Sequence, residues 1–129
     1  MAALLGFAAG VPGTAALAAG AAAPVRVGLD RVAAGELQAL AGKRLGLLSH
    51  AASVTLEGRS AIQVFRDRRL NLVRLFSPEH GLHGQAAAGE KVESGVDAAA
   101  GLALVSLYGA HTKPTPEDLA GLDALVVDL

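Results

Sequence analysis

The sequence predicts an α/β domain: a Rossmann-like, mostly parallel sheet with helices on both faces. Two observations carry that expectation. Apolar runs of strand length recur at 44–49, 70–76, 102–107 and 122–129, and most of the stretches between them carry helix-capping signals. The runs are continuous rather than alternating, as in strands buried on both faces, which is the habit of parallel sheets. The unusual polar residues also follow the runs. Ser49 and His50 end one, Ser77-Pro78-Glu79-His80-Gly81 follow another, Tyr108-Gly109 follow a third, and Asp128 lies near the end of the last. In an open parallel sheet the ligand lies outside the carboxyl ends of the strands, so these residues are expected along one edge.

The elements are expected as follows. Val25–Leu29 is a short strand or entry segment. Asp30 is placed to cap a helix over Arg31–Leu40, with Val32, Leu37 and Leu40 apolar and Gly42 beyond its end. Arg44–Ser49 is a buried strand, and His50–Gly58 a loop. Ser60 is an N-cap for Ala61–Arg68, with Ile62, Val64 and Phe65 inward. Arg66, Arg68 and Arg69 suit that helix's C-terminal dipole and are expected to be solvated. Leu70–Phe76 is the next strand. The polar, Gly-rich stretch Ser77–Gly101 exceeds ordinary connections, which marks it as a functional loop. Leu102–Leu107 is a strand. Thr115-Pro116-Glu117-Asp118 starts a brief helix, with Thr as N-cap, Pro at N1 and an acidic first turn. Leu122–Leu129 is a final strand, within which the chain is expected to be cut short, making 24–129 an incomplete domain.

Composition narrows the function classes. Eleven basic and twelve acidic residues are spread along the chain without a basic stripe, which argues against a nucleic-acid partner. Cysteine is absent, excluding disulfides, thiolate chemistry and a lipidated N-terminal Cys. Much of the apolar content is alanine and aromatics are 3%, so the core must rest on Leu, Val and Ile.

Residues 1–23 stand apart. They carry no charge, and Leu17-Ala18-Ala19-Gly20-Ala21-Ala22-Ala23 offers the small residues of a signal-peptidase site. Pro12 and four glycines oppose a stable membrane span. The expectation is a signal peptide directing export to the periplasm or beyond, its basic start lying upstream of Met1. The other reading is a disordered Ala/Gly tail.

Chemistry concentrates after the second strand. In Phe76-Ser77-Pro78-Glu79-His80-Gly81 a carboxylate adjoins an imidazole in a constrained turn. A Glu held at a strand end can serve as general acid, or it can merely cap a neighbouring helix while His80 bonds its loop. The four histidines (His50, His80, His83 and His111) show no metal-ligand spacing, and no metal is expected. Gly81, Gly84 and Gly89 fit neither dinucleotide nor Walker patterns. Glu90, Lys91, Glu93 and Asp97 form a mixed-charge patch whose plain reading is a solvated loop face. Tyr108 can stack on a sugar or anchor its loop, and Lys113 can meet an anionic substrate or stay simply exposed.

Taken together, several motifs resemble one family. They are Lys43–Leu48, Leu75-Phe76-Ser77-Pro78-Glu79-His80-Gly81-Leu82, Ala88-Gly89-Glu90-Lys91-Val92, Ser106-Leu107-Tyr108-Gly109, Lys113-Pro114-Thr115-Pro116 and Leu122–Asp128. Their order and spacing are similar to the exo-β-N-acetylmuramidases, long classed as a bacterial domain of unknown function. The resemblance covers roughly Val25–Leu129. It implies a Rossmann-like catalytic domain followed by a smaller one, with the site in the cleft between them. It also implies release of terminal N-acetylmuramic acid from the non-reducing end of peptidoglycan fragments, without nucleotide, metal or other cofactor.

Carried onto this chain, the resemblance makes Glu79 the catalytic carboxylate and His80 its orienting neighbour. His50, His83, Glu90, Tyr108, Lys113 and Asp128 are then the substrate-contact candidates. Asp128 is also a candidate second carboxyl, although the substrate's own acetamido group can fill that role. The chain departs from the family at His50, where Asn is common. It departs again at His83-Gly84-Gln85-Ala86-Ala87, where the family has Arg-Gly and acidic residues. The rival reading is a noncatalytic peptidoglycan- or sugar-binding module of the same fold, and a third is a hydrolase of other small molecules.

Overall fold

Inside the sheet lies β1 (Leu45–Leu48), whose Leu45 and Leu47 are fully buried. The computed structural model describes residues 25–129. The chain enters through α1 (Gly28–Ala33) and a 3₁₀ turn (Gln38–Leu40) before reaching β1. There follow α2 (Ala61–Asp67), β2 (Leu72–Ser77), β3 (Gly95–Asp97), β4 (Leu102–Ser106), α3 (Pro116–Leu119) and β5 (Ala124–Val127).

The five strands form one sheet in the order β3-β4-β2-β1-β5, with every pair parallel except β3 on β4. The expected α/β fold with a mostly parallel sheet is therefore present. Taken in chain order, the parallel strands lie third-second-first-fourth, the start of the Rossmann arrangement. The order reverses between β1 and β5.

Strand alternation sorts the residues to two faces. Leu45, Leu47 and Leu75 pack with Leu29 and Val32 of α1 and with Ala61, Val64 and Phe65 of α2 in one buried cluster. Gly46, Arg74 and Phe76 point the other way. There the Arg74 guanidinium donates to the carbonyls of Glu117, Asp118 and Ala120 at the end of α3. Helices thus cover both faces. A Cβ on Gly46 would lie 2.7 Å from Leu122 Cδ1 and 2.9 Å from Phe76 Cε2, so the second face closes over bare backbone at that point.

The caps act locally. Ser60 Oγ accepts from Gln63 N (3.3 Å) while Gln63 Oε1 accepts from Ser60 N (2.9 Å), a reciprocal pair that fixes the start of α2. Thr115 and Asp118 repeat the device at α3, with Pro116 in the first turn.

Three expectations need correction. Asp30 does not cap a helix at 31–40. It sits in the first turn of α1, where Oδ2 reaches back to Val27 N (3.0 Å), and Oδ1 accepts from Leu56 N (3.0 Å). A carboxylate at the third helical position accepts from the N-cap residue's own N–H, so the helix begins upstream of Asp30. Second, Ser77–Gly101 is not all loop, because β3 adds an antiparallel edge to β4. Third, Arg66 is more than a solvated helix end: it donates to Ala99 and Ala100 carbonyls at the β3–β4 turn (3.0 and 2.8 Å). The signal-peptide expectation for 1–23 lies outside the described residues, among which no helix is long and apolar enough to cross a membrane.

Candidate active site

All four parallel strands end at one edge, and the register there forms a polar row. Ser77 pairs with Ser106, and one step past the Leu48↔Phe76 and Leu48↔Val127 pairings come Ser49 and Asp128. Ser49, Ser77 and Ser106 are buried, at 3%, 0% and 2% exposure. Beyond this row the loops carry the candidate residues.

Ser53 stitches the loops after β1 and β5. Its hydroxyl donates to the Asp128 carbonyl and accepts from His50 N (3.1 Å). Nothing in the sequence around Ser53 signals this role.

After β2 the chain turns sharply. His80 adopts φ +67, unusual for a residue with a Cβ, followed by Gly81 at +74. The turn leaves Glu79 half-buried, with Oε1 accepting from Gly89 N (2.9 Å). The Tyr108 phenol lies beside the same carboxylate, whose charge and hydrogen bond raise the phenol's pKa above its ordinary value. Val92 N donates to the Tyr108 carbonyl (2.9 Å), closing the 79–92 loop onto the end of β4. Glu79, His80 and Tyr108 therefore meet at the edge where the sequence places them.

Each of the four histidines faces a polar partner through one nitrogen. His80 Nδ1 faces the Ala86 carbonyl (2.9 Å), so it carries the proton, and in a neutral ring Nε2 is left as an acceptor. His50 Nδ1 accepts from Ala52 N (3.1 Å), leaving Nε2–H as a donor. His111 Nε2 lies 3.2 Å from Asp118 Oδ2 and braces the loop that bears Lys113.

His83 Nε2 lies 2.6 Å from Asp97 Oδ2, which corrects the reading of Asp97 as part of a solvated face. Asp97 is 7% exposed. Burial alone would raise its pKa, but hydrogen bonds from His83 and Ala100 N outweigh it and hold the carboxyl below its usual range.

Two cavities flank this loop. One, about 360 Å³, is lined by His80, His83, Glu90, Lys91 and Val92 among others. The second, about 240 Å³, is lined by Ser49, His50, Ser60, Ile62, Leu82 and His83. His83 and Leu82 border both. Glu90 turns back to accept from Ala87 N (2.7 Å).

Of the candidate residues, Glu79, Tyr108, Lys113 and Asp128 line neither cavity. Lys113 is exposed on the loop before α3. Asp128 lines a separate, mostly apolar cavity of about 150 Å³ with Leu29, Val32, Phe65 and Val126. Burial raises its pKa, and its Oδ2 has no hydrogen-bond partner. No cluster of three or more His, Asp or Glu side chains suited to a metal occurs among the described residues.

The family model described as "Exo-beta-N-acetylmuramidase NamZ, N-terminal" matches residues 45–129, the stretch that holds the entire sheet and its edge loops. This chain belongs to that family. The peptidoglycan β-N-acetylmuramidase NamZ of Bacillus subtilis (strain 168) is 38% identical over 106 residues, which is 81% of this chain and 26% of that protein. A solved DUF1343 family protein of Bacteroides fragilis NCTC 9343 superposes with a TM-score of 0.69 at 35% identity, over 81% of this chain and 26% of its own. A second from the same organism, at 24% identity and TM-score 0.62, shares the fold. The chain thus spans about a quarter of the length of the relatives it matches.

Proposed function

We propose that the chain forms the N-terminal part of a glycoside hydrolase that releases terminal N-acetylmuramic acid from peptidoglycan fragments, with Glu79 as the catalytic carboxylate. One observation carries this reading. In a member of the muramidase family, the carboxylate of the Pro-Glu-His-Gly turn sits at the C-terminal edge of the parallel sheet, held by Gly89 N and adjoined by Tyr108.

Glu79 is anchored through one oxygen by a backbone N–H that cannot titrate away, so its orientation survives changes in its own protonation. That suits a group that gives a proton to a leaving oxygen and later takes one from water. His80 shapes the turn that carries Glu79 through its bond to the Ala86 carbonyl. Asp128 follows β5, two strands from β2 and so about 10 Å across the sheet, and it lines another cavity. That placement in a different cavity favours the substrate's acetamido group as the second participant.

The test uses a chimera in which residues 24–129 replace the matched stretch of the Bacillus subtilis relative. It is given a peptidoglycan fragment with N-acetylmuramic acid at its non-reducing end. Release of free N-acetylmuramic acid is expected. Tight binding of the fragment without release would instead favour a noncatalytic sugar-binding module.

A further inference from the structure

We infer that Lys91 is the residue that recognises the carboxylate of an acidic amino sugar, and so sets the preference for muramic acid over its neutral parent. The inference rests on the glycosidase reading above and deepens it. Muramic acid differs from glucosamine by a lactyl ether that ends in a carboxylate, so selectivity requires a cation within reach of the sugar. Lys113, the cation that the sequence suggested, is exposed on the loop before α3 and lines neither of the two cavities that flank the His80–Val92 loop. Lys91 lines the 360 Å³ cavity together with His80, the neighbour of Glu79.

Its backbone is fixed on both sides. Gly89 N holds Glu79 two residues before it, and Val92 N is bonded to the Tyr108 carbonyl one residue after. The ammonium is therefore carried by a segment tied directly to both ends of the candidate machinery. The other basic groups at that cavity are committed: His83 Nε2 to Asp97, and His80 Nδ1 to the Ala86 carbonyl. Lys91 forms no ion pair among the described residues. Of the two carboxylates at the same cavity, Glu90 is turned back onto Ala87 N, and Glu93 is exposed. Lysine suits this task as a point charge on a flexible stem, which can follow the rotating lactyl arm.

The experiment is an NMR titration of the ¹⁵N-labelled chain with N-acetylmuramic acid, its methyl ester and N-acetylglucosamine. The wild-type chain should bind the acid roughly tenfold more tightly than the ester, as expected for a hydrogen bond to a charged group, with shifts along His80–Val92. Lys91→Gln should abolish that preference while leaving affinity for the neutral sugars unchanged, and Lys91→Arg should restore part of it. An undiminished preference in Lys91→Gln, or its loss in Lys113→Gln instead, would overturn the assignment and leave the glycosidase reading standing. Failure of both the wild-type chain and the chimera described above to bind any of the three would count against both.

Discussion

Two carboxyl groups of this chain respond to burial in opposite directions, and the difference lies in their partners. Asp97 meets His83 and the Ala100 N–H, so its pKa falls below the unfolded value. Its contribution to stability is full at neutral pH and is lost as the pH drops through the ordinary carboxylate range toward the folded-state pKa. Asp97→Asn should cost about 1–3 kcal/mol at pH 7 and should flatten the fall in thermal midpoint between pH 5 and pH 3. Asp128 has no partner for Oδ2 and its pKa rises, so folding disfavours its charged form. Asp128→Asn should raise the thermal midpoint at pH 7, with the gain fading as the pH falls through the raised folded-state pKa and gone below about 4, where the carboxyl is protonated in both states. A lower midpoint for Asp128→Asn at pH 7 would mean that the carboxylate has a stabilising partner. Glu79 and Tyr108 were legible as site candidates because chemically unusual residues follow apolar runs. The His83–Asp97 pair was not, since contacts across fourteen residues of irregular chain leave no periodic trace.

Elements set by neighbours in sequence were the ones the sequence announced best. Ser60 with Gln63, and Thr115 with Pro116, specify the starts of α2 and α3 through bonds three residues long. Ser60→Ala should therefore cost about 1 kcal/mol, measured by chemical denaturation, with an unchanged denaturant slope. Gly46→Ala should cost about 1–3 kcal/mol by overpacking, because the added methyl meets Leu122, Phe76 and Leu125. A neutral result would show that the second face can yield. The strand β3 escaped notice for the converse reason. Gly95-Val96-Asp97 is three residues with one apolar side chain, itself 72% exposed, and only pairing with β4 makes it a strand. The start of α1 lies upstream of Asp30 because that carboxylate sits inside the first turn and accepts from the Val27 N–H.

At the scale of the whole molecule, the parallel order and its reversal between β1 and β5 place every candidate loop at one edge, and this much followed from continuous apolar runs. The two faces differ in cover. One is packed under α1 and α2, while the other lies under the four residues of α3, with Val127 58% exposed. Given that the chain spans 26% of the Bacillus subtilis relative, we expect the 129-residue chain to turn over a chromogenic N-acetylmuramic acid glycoside at least 100-fold more slowly than the chimera, roughly the cost of imperfect positioning. Comparable rates would mean that residues 25–129 hold the whole active site.

The most direct measurement is the turnover of that glycoside by the Glu79→Gln chimera, with sugar affinity measured in parallel. Glutamine keeps the size of the side chain and the acceptor for Gly89 N, but it cannot move a proton. The account predicts a fall in kcat of roughly 10²–10⁴-fold with affinity for N-acetylmuramic acid within about twofold of wild type, since the side-chain shape and its anchor are retained. Turnover by Glu79→Gln at the wild-type rate would contradict it and move the chemistry to another carboxyl group.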